Sequence, residues 1–390
     1  MPRINPEMLK WAREAAELPL DDAARKIGLQ NTKKATGSEK LALLESGEKE
    51  PSYKQLMSMA DTYHRPLITF YLGRPPIIES KGGDYRKLPE DFSREENALL
   101  EALVRDVKAR QGMIRSLMED ENEAQPLPFV ASMSRQAGVQ KVADAIRTQI
   151  GITLDNIRQC SDKSAVFNLV RARTEASGIF VLLAGDLGSH HSDIGVDIFR
   201  GYAIADPIAP FIVINDNDSK GAWTFTILHE IAHIFLGEEG ISNSWAESQI
   251  EKFCNDVAAS LLIDTDELLA LKITPDTTQE EKLAVIGQFS TTANLSNTFV
   301  AYNLYKRGCI SWDQYEALNA EFRRQWKLRK QTAKKASGAG GPSYFNIRRH
   351  RLGGAIIGFV SRMMGEGALS PTKAAKILGV KTHNISQILG

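Results

Sequence analysis

Cysteine and long hydrophobic runs are scarce in this chain of 390 residues. The three cysteines, Cys160, Cys254 and Cys309, lie far apart and form no C-x-x-C pair. This argues against a disulfide scaffold and suits a reducing compartment. The chain has no run of about eighteen apolar residues and no charged start followed by an apolar core. We therefore expect a soluble, cytoplasmic protein.

An excess of either charge is also missing, because 48 Lys and Arg residues balance 48 Asp and Glu residues. A net charge of zero means that no overall field attracts nucleic acid, so any basic surface must be local. The composition, with 43% hydrophobic and 25% charged residues, is ordinary for a globular protein. The length predicts two or three domains, each large enough to bury its own core.

Residues 223–237, WTFTILHEIAHIFLG, place His229, Glu230 and His233 in an H-E-x-x-H pattern within an apolar run. Positions i and i+4 share one face of a helix, so both imidazoles can bind one metal ion. Glu230, at the next position round the turn, can take a proton from the water that the metal activates. The alternative is a buried helix whose histidines are only hydrogen-bonded. Burying these groups is costly without a metal or a partner.

A catalytic zinc ion usually has three protein ligands, so a third is expected downstream. Residues 244–263 form an amphipathic helical pattern, with apolar positions that step by three and four. Glu251 lies at the edge of this apolar stripe, whereas Glu238, Glu239 and Glu247 lie off it or in the loop before it. Glu251 is therefore the best candidate for the third ligand, although its position also fits an ordinary surface charge.

Together these segments resemble the ImmA/IrrE metallopeptidases, whose second helix typically contains E-x-x-A-N-x-F-A-x-x-L-L. Here the pattern starts at Glu251, with Cys254 and Val257 as apolar replacements and Asn255 retained. The resemblance implies a zincin-like fold of the gluzincin type, in which His229, His233 and Glu251 bind the metal and Glu230 is the base. Zn²⁺ suits two imidazoles and one carboxylate best, and Mn²⁺ is the alternative. Asn255 is a candidate to support the site or the substrate.

Three short apolar runs, residues 178–184, 201–204 and 210–214, are predicted strands of a small sheet before the metal helix. The edge of such a sheet can hold a peptide substrate in extended form by backbone pairing. Asn215 ends the last strand and is predicted to orient the substrate or the loop. Tyr202 is a candidate donor to the oxyanion of the reaction.

His190 and His191, with Asp193, lie in a loop between these strands. They fit a second metal site or an oxyanion donor. Exposed loop histidines are the more common explanation of such a pair. No transition-state stabiliser can be assigned from the sequence.

The first 66 residues have the pattern of several short helices, with A-A-x-x-I-G at residues 23–28 and E-x-G-x-x-x-P at 45–51. These signatures resemble the Xre/Cro-type helix-turn-helix. By that resemblance, the helix that enters the major groove covers about residues 37–46. Lys33, Lys34 and Lys40 lie where contacts with DNA phosphates are expected.

The charge of this region supports DNA binding only weakly. Residues 1–76 contain twelve Lys and Arg against ten Asp and Glu, a net charge of +2. The recognition helix also carries Glu39 and Glu45, and the insert before it is longer than the usual turn. A module that docks protein or forms a dimer is the alternative.

The C-terminal part is marked by a long stretch without acidic residues, between Glu321 and Glu366. Its cations include Arg323, Arg324, Lys327, Arg329, Lys330, Lys334, Lys335, Arg348, Arg349, Arg351 and Arg362. They fit a solvated tail and non-specific phosphate contacts equally well. Ser370 and Pro371 start a further helix that Gly379 ends, and this pattern resembles half of a second helix-turn-helix. A packing or protein-recognition element is the alternative.

The whole pattern predicts a mainly α protein with a small sheet, of the α+β class. The predicted parts are a helix-turn-helix domain (1–76), a linker with a long connecting helix (77–125), a metallopeptidase domain (126–330), a flexible basic linker (331–343) and a small helical element (344–390). The resemblance implies a zinc peptidase that cleaves a transcriptional repressor or an antitoxin-like partner. The alternative is a DNA-binding regulator or antitoxin, paired with a PIN-like ribonuclease toxin, whose zinc site is regulatory.

Overall fold

The computed structural model describes residues 3–76, 94–188, 192–238, 240–242, 249–336 and 343–390. The chain divides into two compact units. The N-terminal unit contains residues 1–107 with 189–194, and the C-terminal unit contains residues 108–188 with 195–390. Helices predominate and one small sheet lies in the second unit, so the predicted α+β class is confirmed. No helix among the described residues has both the length and the hydropathy to cross a membrane.

The N-terminal unit starts with four helices around one apolar core. Their bounds are Pro6–Ala15 (α1), Leu20–Ile27 (α2), Gly37–Glu45 (α3) and Tyr53–Thr62 (α4). A 3₁₀ helix, Leu67–Tyr71, follows, and α5, Arg94–Asp120, contains the boundary between the two units. The predicted recognition helix, residues 37–46, thus corresponds to α3.

The two acidic side chains on α3 both have hydrogen-bond partners within the unit. The carboxylate of Glu45 accepts two hydrogen bonds from Arg13, at 2.7 and 3.0 Å, and is nearly buried. Glu39 closes a capping box with Thr36, in which each side chain binds the other residue's backbone N–H. Neither carboxylate is therefore a free negative charge on the face of α3.

The C-terminal unit contains the remaining helices and the sheet. Before the sheet lie α6 (Val139–Ile150), α7 (Leu154–Arg158) and α8 (Lys163–Ala176). The strands are β1 (Phe180–Leu183), β2 (Gly201–Ile204), β3 (Phe211–Ile214) and β4 (Gly240–Ser242), with α9 (Lys220–Leu236) between the last two. The helices that follow are α10 (Gln249–Leu262), α11 (Thr265–Leu269), α12 (Gln279–Thr292), α13 (Asn297–Lys306), α14 (Trp312–Ala336), α15 (Tyr344–Gly365), α16 (Pro371–Leu378) and α17 (Ile385–Leu389).

The sheet has the strand order β1-β3-β2-β4. Strands β1 and β3 are parallel, whereas β2 is antiparallel to both β3 and β4. Every residue of β1, β2 and β3 is buried, and α9 packs on one face of the sheet. The three predicted strands are present, and β4 is an additional one. Strand β4 pairs with β2 and is the outermost strand among the described residues.

The C-terminal helices pack on the opposite end of the sheet, against β1 and α8. Phe359 of α15 makes an edge-to-face contact with Phe180 of β1, with ring centroids 6.0 Å apart. The buried Arg171 of α8 donates hydrogen bonds to the carbonyls of His350 and Arg351. Residues 344–390 therefore share one compact unit with the peptidase segment, although the sequence predicted a separate element.

Several of the C-terminal cations are bound within the protein. Arg348 donates to the carbonyl of Leu378, and Arg349 donates to that of Ile388, near the ends of α16 and α17. Arg351 pairs with the carboxylates of Asp186 and Asp216, at 2.7 and 2.6 Å, and Arg362 pairs with Glu123. Each of these four arginines therefore has a hydrogen-bond or ion-pair partner within the protein.

The predicted flexible linker, residues 331–343, begins within a helix. Helix α14 continues to Ala336, so the first part of this segment is helical. The sequence prediction rested on the glycines at 338, 340 and 341, which follow the helix and cannot reveal where it ends. Residues 337–342 lie outside the described part of the chain.

Candidate metal centre

Helix α9 carries the H-E-x-x-H pattern and is buried along most of its length. It ends at Gly237, whose φ of 69° is favourable only without a side chain. A Cβ there would also lie 2.6 Å from that of Ala131. The backbone N–H groups of Ala131 and Met133 donate to the carbonyls of Ile234 and Phe235, each at 2.9 Å. Two carbonyl groups of the last turn of α9 thereby gain hydrogen-bond partners from this loop.

His229, His233 and Glu251 converge, and all three are buried. The Nε2 atoms of the two histidines are 3.0 Å apart. One carboxylate oxygen of Glu251 lies 3.1 Å from Nε2 of His229, and the other lies 3.2 Å from Nε2 of His233. Helix α10 brings Glu251 to this point because its apolar stripe packs against α9.

This set of atoms fits a divalent metal ion. Ligands about 2.0–2.2 Å from one tetrahedral zinc lie roughly 3.3–3.5 Å from one another, close to the separations of these atoms. Two imidazoles and one carboxylate are also the protein ligands of many catalytic zinc sites. Among the described residues, no other group of three His, Cys, Asp or Glu side chains forms such a cluster.

The electrostatics of the three ligands favour binding of a cation. Burial would raise the pKa of Glu251, but hydrogen bonds with His229 and His233 bring it down to about 2. Burial lowers the pKa of His229, and interactions with Glu251 and, more weakly, with Asn255 act against this. For His233, burial is outweighed by interactions with Cys254 and Glu251, which raise its pKa. A metal would therefore meet an ionised carboxylate and displace a proton from the histidine pair.

Glu230 is fully buried beside the first residue of β2. A Cβ added to Gly201 would lie 2.7 Å from Oε1 of Glu230 and 2.6 Å from Cγ2 of Thr226. The glycine thus leaves the space that the Glu230 carboxylate occupies. Sequence reasoning missed this role of Gly201, because the contact joins residues 29 positions apart in the chain.

We expect Gly201→Ala to lower the rate of a hydrolysis that uses Glu230 as its base by up to about 100-fold, because the new methyl group displaces the Glu230 carboxylate. Bound metal should be unchanged. The atoms nearest to the added methyl group belong to Thr226, Glu230 and Val213, and none of these is a metal ligand. The measurement is kcat together with metal content by mass spectrometry. The double variant Gly201→Ala with Thr226→Ser removes the Thr226 methyl group, which also lies close to the new Cβ. If kcat recovers fully in this double variant, the loss came from crowding of Thr226, and displacement of Glu230 is not its cause.

Asn255 follows Glu251 by one helical turn and is exposed. The buried Nδ1 of His229 has no hydrogen-bond partner within the described ranges. Burial lowers the pKa of this ring, and the Asn255 side chain is a neighbouring amide that weakly opposes the decrease. An amide oxygen that accepts a proton from Nδ1 would keep Nε2 free for the metal. The supporting role of Asn255 stays a prediction.

We expect Asn255→Ala to weaken metal binding by about 10- to 100-fold, the usual cost of losing a group that orients a ligand. Competition with a fluorescent chelator measures the change in affinity. Asn255→Asp, which keeps an acceptor for Nδ1–H, should retain tight binding. Equal affinities of the wild type and Asn255→Ala would contradict this role.

Two other predicted site residues lie elsewhere. Asn215 is fully buried and donates to the carbonyl of Phe199 at 3.0 Å, while its Oδ1 accepts from the backbone of Asn217. It therefore orients the loop and does not face a substrate. Tyr202 is also fully buried, and alternation along β2 puts it on the sheet face opposite to Gly201 and Glu230. The predicted oxyanion role of Tyr202 is incompatible with this position.

The remaining candidates are outside the metal centre or outside the described residues. Glu238 is exposed after the end of α9, and Asp193 is exposed as well. His190, His191, Glu239 and Glu247 lie outside the described part of the chain. In the N-terminal unit, Lys33 and Lys34 are exposed, whereas Nζ of Lys40 donates to the carbonyl of Gln30 at 2.7 Å.

Residues 184–305 match the family of the IrrE N-terminal-like domain, Peptidase_M78. The matched segment runs from the end of β1 to α13 and includes Glu230 and all three converging ligands. This family of metallopeptidases implies a divalent metal in the site. The chain matches no curated protein and no solved structure.

Proposed function

We propose that this chain is a zinc-dependent peptidase that acts on a transcriptional repressor or an antitoxin-like partner. The main support is the convergence of His229, His233 and Glu251 within the segment that matches a metallopeptidase family. The buried carboxylate of Glu230 lies on the same helix as the two histidines. This is the composition of a hydrolytic site with a base beside a metal.

The three ligands would hold one divalent ion, which polarises the scissile carbonyl and makes the attacking water more acidic. Glu230 accepts the proton of this water and then returns it to the amine that leaves. Its burial excludes bulk water from the carboxylate and makes each proton transfer local. Gly201 provides the space in which the carboxylate changes its protonation state.

Strand β4 is the outer strand of the sheet and offers a place for the substrate backbone. Its Ser242 pairs with Gly201 of β2, the residue that borders Glu230. A peptide added along this edge as a further strand would pass close to the base and the metal ligands. An extended segment of a partner protein is therefore the form of substrate that we propose.

The N-terminal unit supports a role in gene regulation. Helices α2 and α3 follow one another as in a helix-turn-helix. Within the unit, Glu45 of α3 pairs with Arg13, and Glu39 accepts the backbone N–H of Thr36. Lys33 and Lys34 are exposed in the loop before α3. We propose that this unit binds DNA and brings the peptidase to the promoter at which its partner acts.

We expect the double variant Lys33→Ala with Lys34→Ala to weaken operator binding uniformly across sequences. The slope of log affinity against log salt concentration should fall by roughly one for each lysine that contacts a phosphate. Fluorescence anisotropy with DNA from the chain's own promoter measures both. Lys10→Ala, an exposed lysine of α1, is the control. An unchanged salt slope in the double variant would count against this interface.

One experiment separates the peptidase from the alternative, a DNA-binding regulator or antitoxin whose metal site is regulatory. The purified chain is analysed for bound metal and incubated with the protein encoded by the adjacent gene. Stoichiometric metal and cleavage of that protein support the peptidase. Bound metal with a stable complex that shifts operator DNA, and without cleavage, supports the regulator. If the purified chain binds no divalent metal, both forms of the proposal fail.

A further inference from the structure

Two partly buried aromatic residues lie next to the metal centre and take no part in binding the metal. Phe225 precedes His229 by one turn of α9, and their ring centroids are 6.3 Å apart. Phe299 of α13 is 5.6 Å from Phe225, centroid to centroid. Both phenylalanines pack at the border of the core of the C-terminal unit, with part of each ring accessible to solvent.

The aromatic surface continues along α13 from the metal centre to the outside of the unit. Tyr302, one turn after Phe299, has 42% of its surface exposed. Its ring lies 5.5 Å from that of Tyr315 on α14, and the neighbouring Trp312 is 47% exposed. Partly exposed aromatic side chains are thus found both beside His229 and farther along α13 and α14.

We propose that Phe225 and Phe299 form an apolar wall that binds a large hydrophobic side chain of the substrate, adjacent to the scissile bond. The inference depends on the proposed peptidase function and specifies its substrate class. A side chain held against Phe225 would lie within one helical turn of the ligand His229, so the peptide bond beside it would lie near the three ligands. Aromatic rings favour aromatic or branched apolar partners over charged ones, because charged groups lose their hydration there.

Binding of small inhibitors tests the wall without relying on catalysis. The full-length chain is loaded with Zn²⁺ and titrated by calorimetry with two peptide hydroxamates that differ only in one side chain, benzyl or methyl. We expect the wild type to bind the benzyl compound at least tenfold more tightly, as for other hydrophobic pockets that discriminate by size. Phe299→Ala should reduce this preference to less than about threefold while the methyl compound binds as before.

A matched control is Phe289→Ala, which removes a partly buried phenylalanine of α12 from the border of the same core. It should keep the preference for benzyl even if the protein becomes less stable. Phe299→Leu retains an apolar side chain and should show an intermediate preference for the benzyl compound. This variant keeps the test valid if Phe299→Ala does not fold.

The outcomes distinguish this inference from the proposed function. If both hydroxamates bind the wild type equally, the apolar wall does not select the side chain and the inference is wrong, although the peptidase proposal stands. If Phe289→Ala abolishes the preference as completely as Phe299→Ala, the effect comes from general loosening of the core, and the inference is also wrong. If the chain binds zinc but neither hydroxamate, the site does not accept peptide-like ligands, and both proposals fail.

Discussion

Glu230→Gln should lower the rate of partner cleavage by about 100- to 10,000-fold, the usual contribution of a positioned general acid or base. The glutamine keeps the size of the side chain but cannot accept the proton of the attacking water. Because Glu230 is fully buried beside Gly201, no bulk water can substitute for it efficiently. The measurement is single-turnover cleavage of the partner protein by wild type and variant at equal metal loading.

Metal binding and folding should survive this substitution. Glu230 is not among the three converging ligands, so bound metal should remain stoichiometric. Replacing a buried carboxylate by a neutral amide of equal shape relieves desolvation, so the melting temperature should be unchanged or higher. If Glu230→Gln cleaved the partner at the wild-type rate, another base would have to be sought.

Glu251→Gln should weaken metal binding by more than about 100-fold, beyond the loss expected for a group that only orients a ligand. An amide oxygen lacks the charge of the carboxylate, whose pKa of about 2 keeps it ionised at neutral pH. The metal then retains two imidazoles, from His229 and His233, and no anionic ligand. Metal content after dialysis and affinity by chelator competition measure the change.

The same substitution should reduce the stabilisation of the fold by metal. A ligand present at 100 times its dissociation constant stabilises the folded state by about 2.7 kcal/mol, and a 100-fold weaker affinity removes most of this. Thermal unfolding with and without a chelator should therefore show a large shift for the wild type and little for the variant. Glu238→Gln, at the exposed acid after α9, is the control and should bind metal like the wild type. Tight binding by Glu251→Gln would exclude Glu251 as a ligand.

The sequence alone determined the parts of the metal centre that depend on helical spacing. The i, i+4 separation places His229 and His233 on one face of α9, and the apolar stripe of α10 turns Glu251 toward that face. These relations hold within one or two turns of a helix, so they require no knowledge of distant contacts. The three predicted strands followed from equally local signals, their short apolar runs, whereas the bounds of α3 came from the resemblance to a helix-turn-helix.

Only the tertiary structure decided which side chains lie on each face of the sheet and which charged side chains form ion pairs within the protein. Tyr202 looked like an oxyanion donor until the register of β2 placed Gly201 beside Glu230 and turned Tyr202 away. Likewise Arg351 appeared in the sequence as part of a basic stretch, yet it pairs with Asp186 and Asp216, more than 130 residues earlier. A shift of one residue in a strand exchanges its two faces, and an ion pair requires partners from distant segments. Neither the register of a strand nor an ion pair between distant segments is encoded within a short stretch of chain, so both depend on the folded structure.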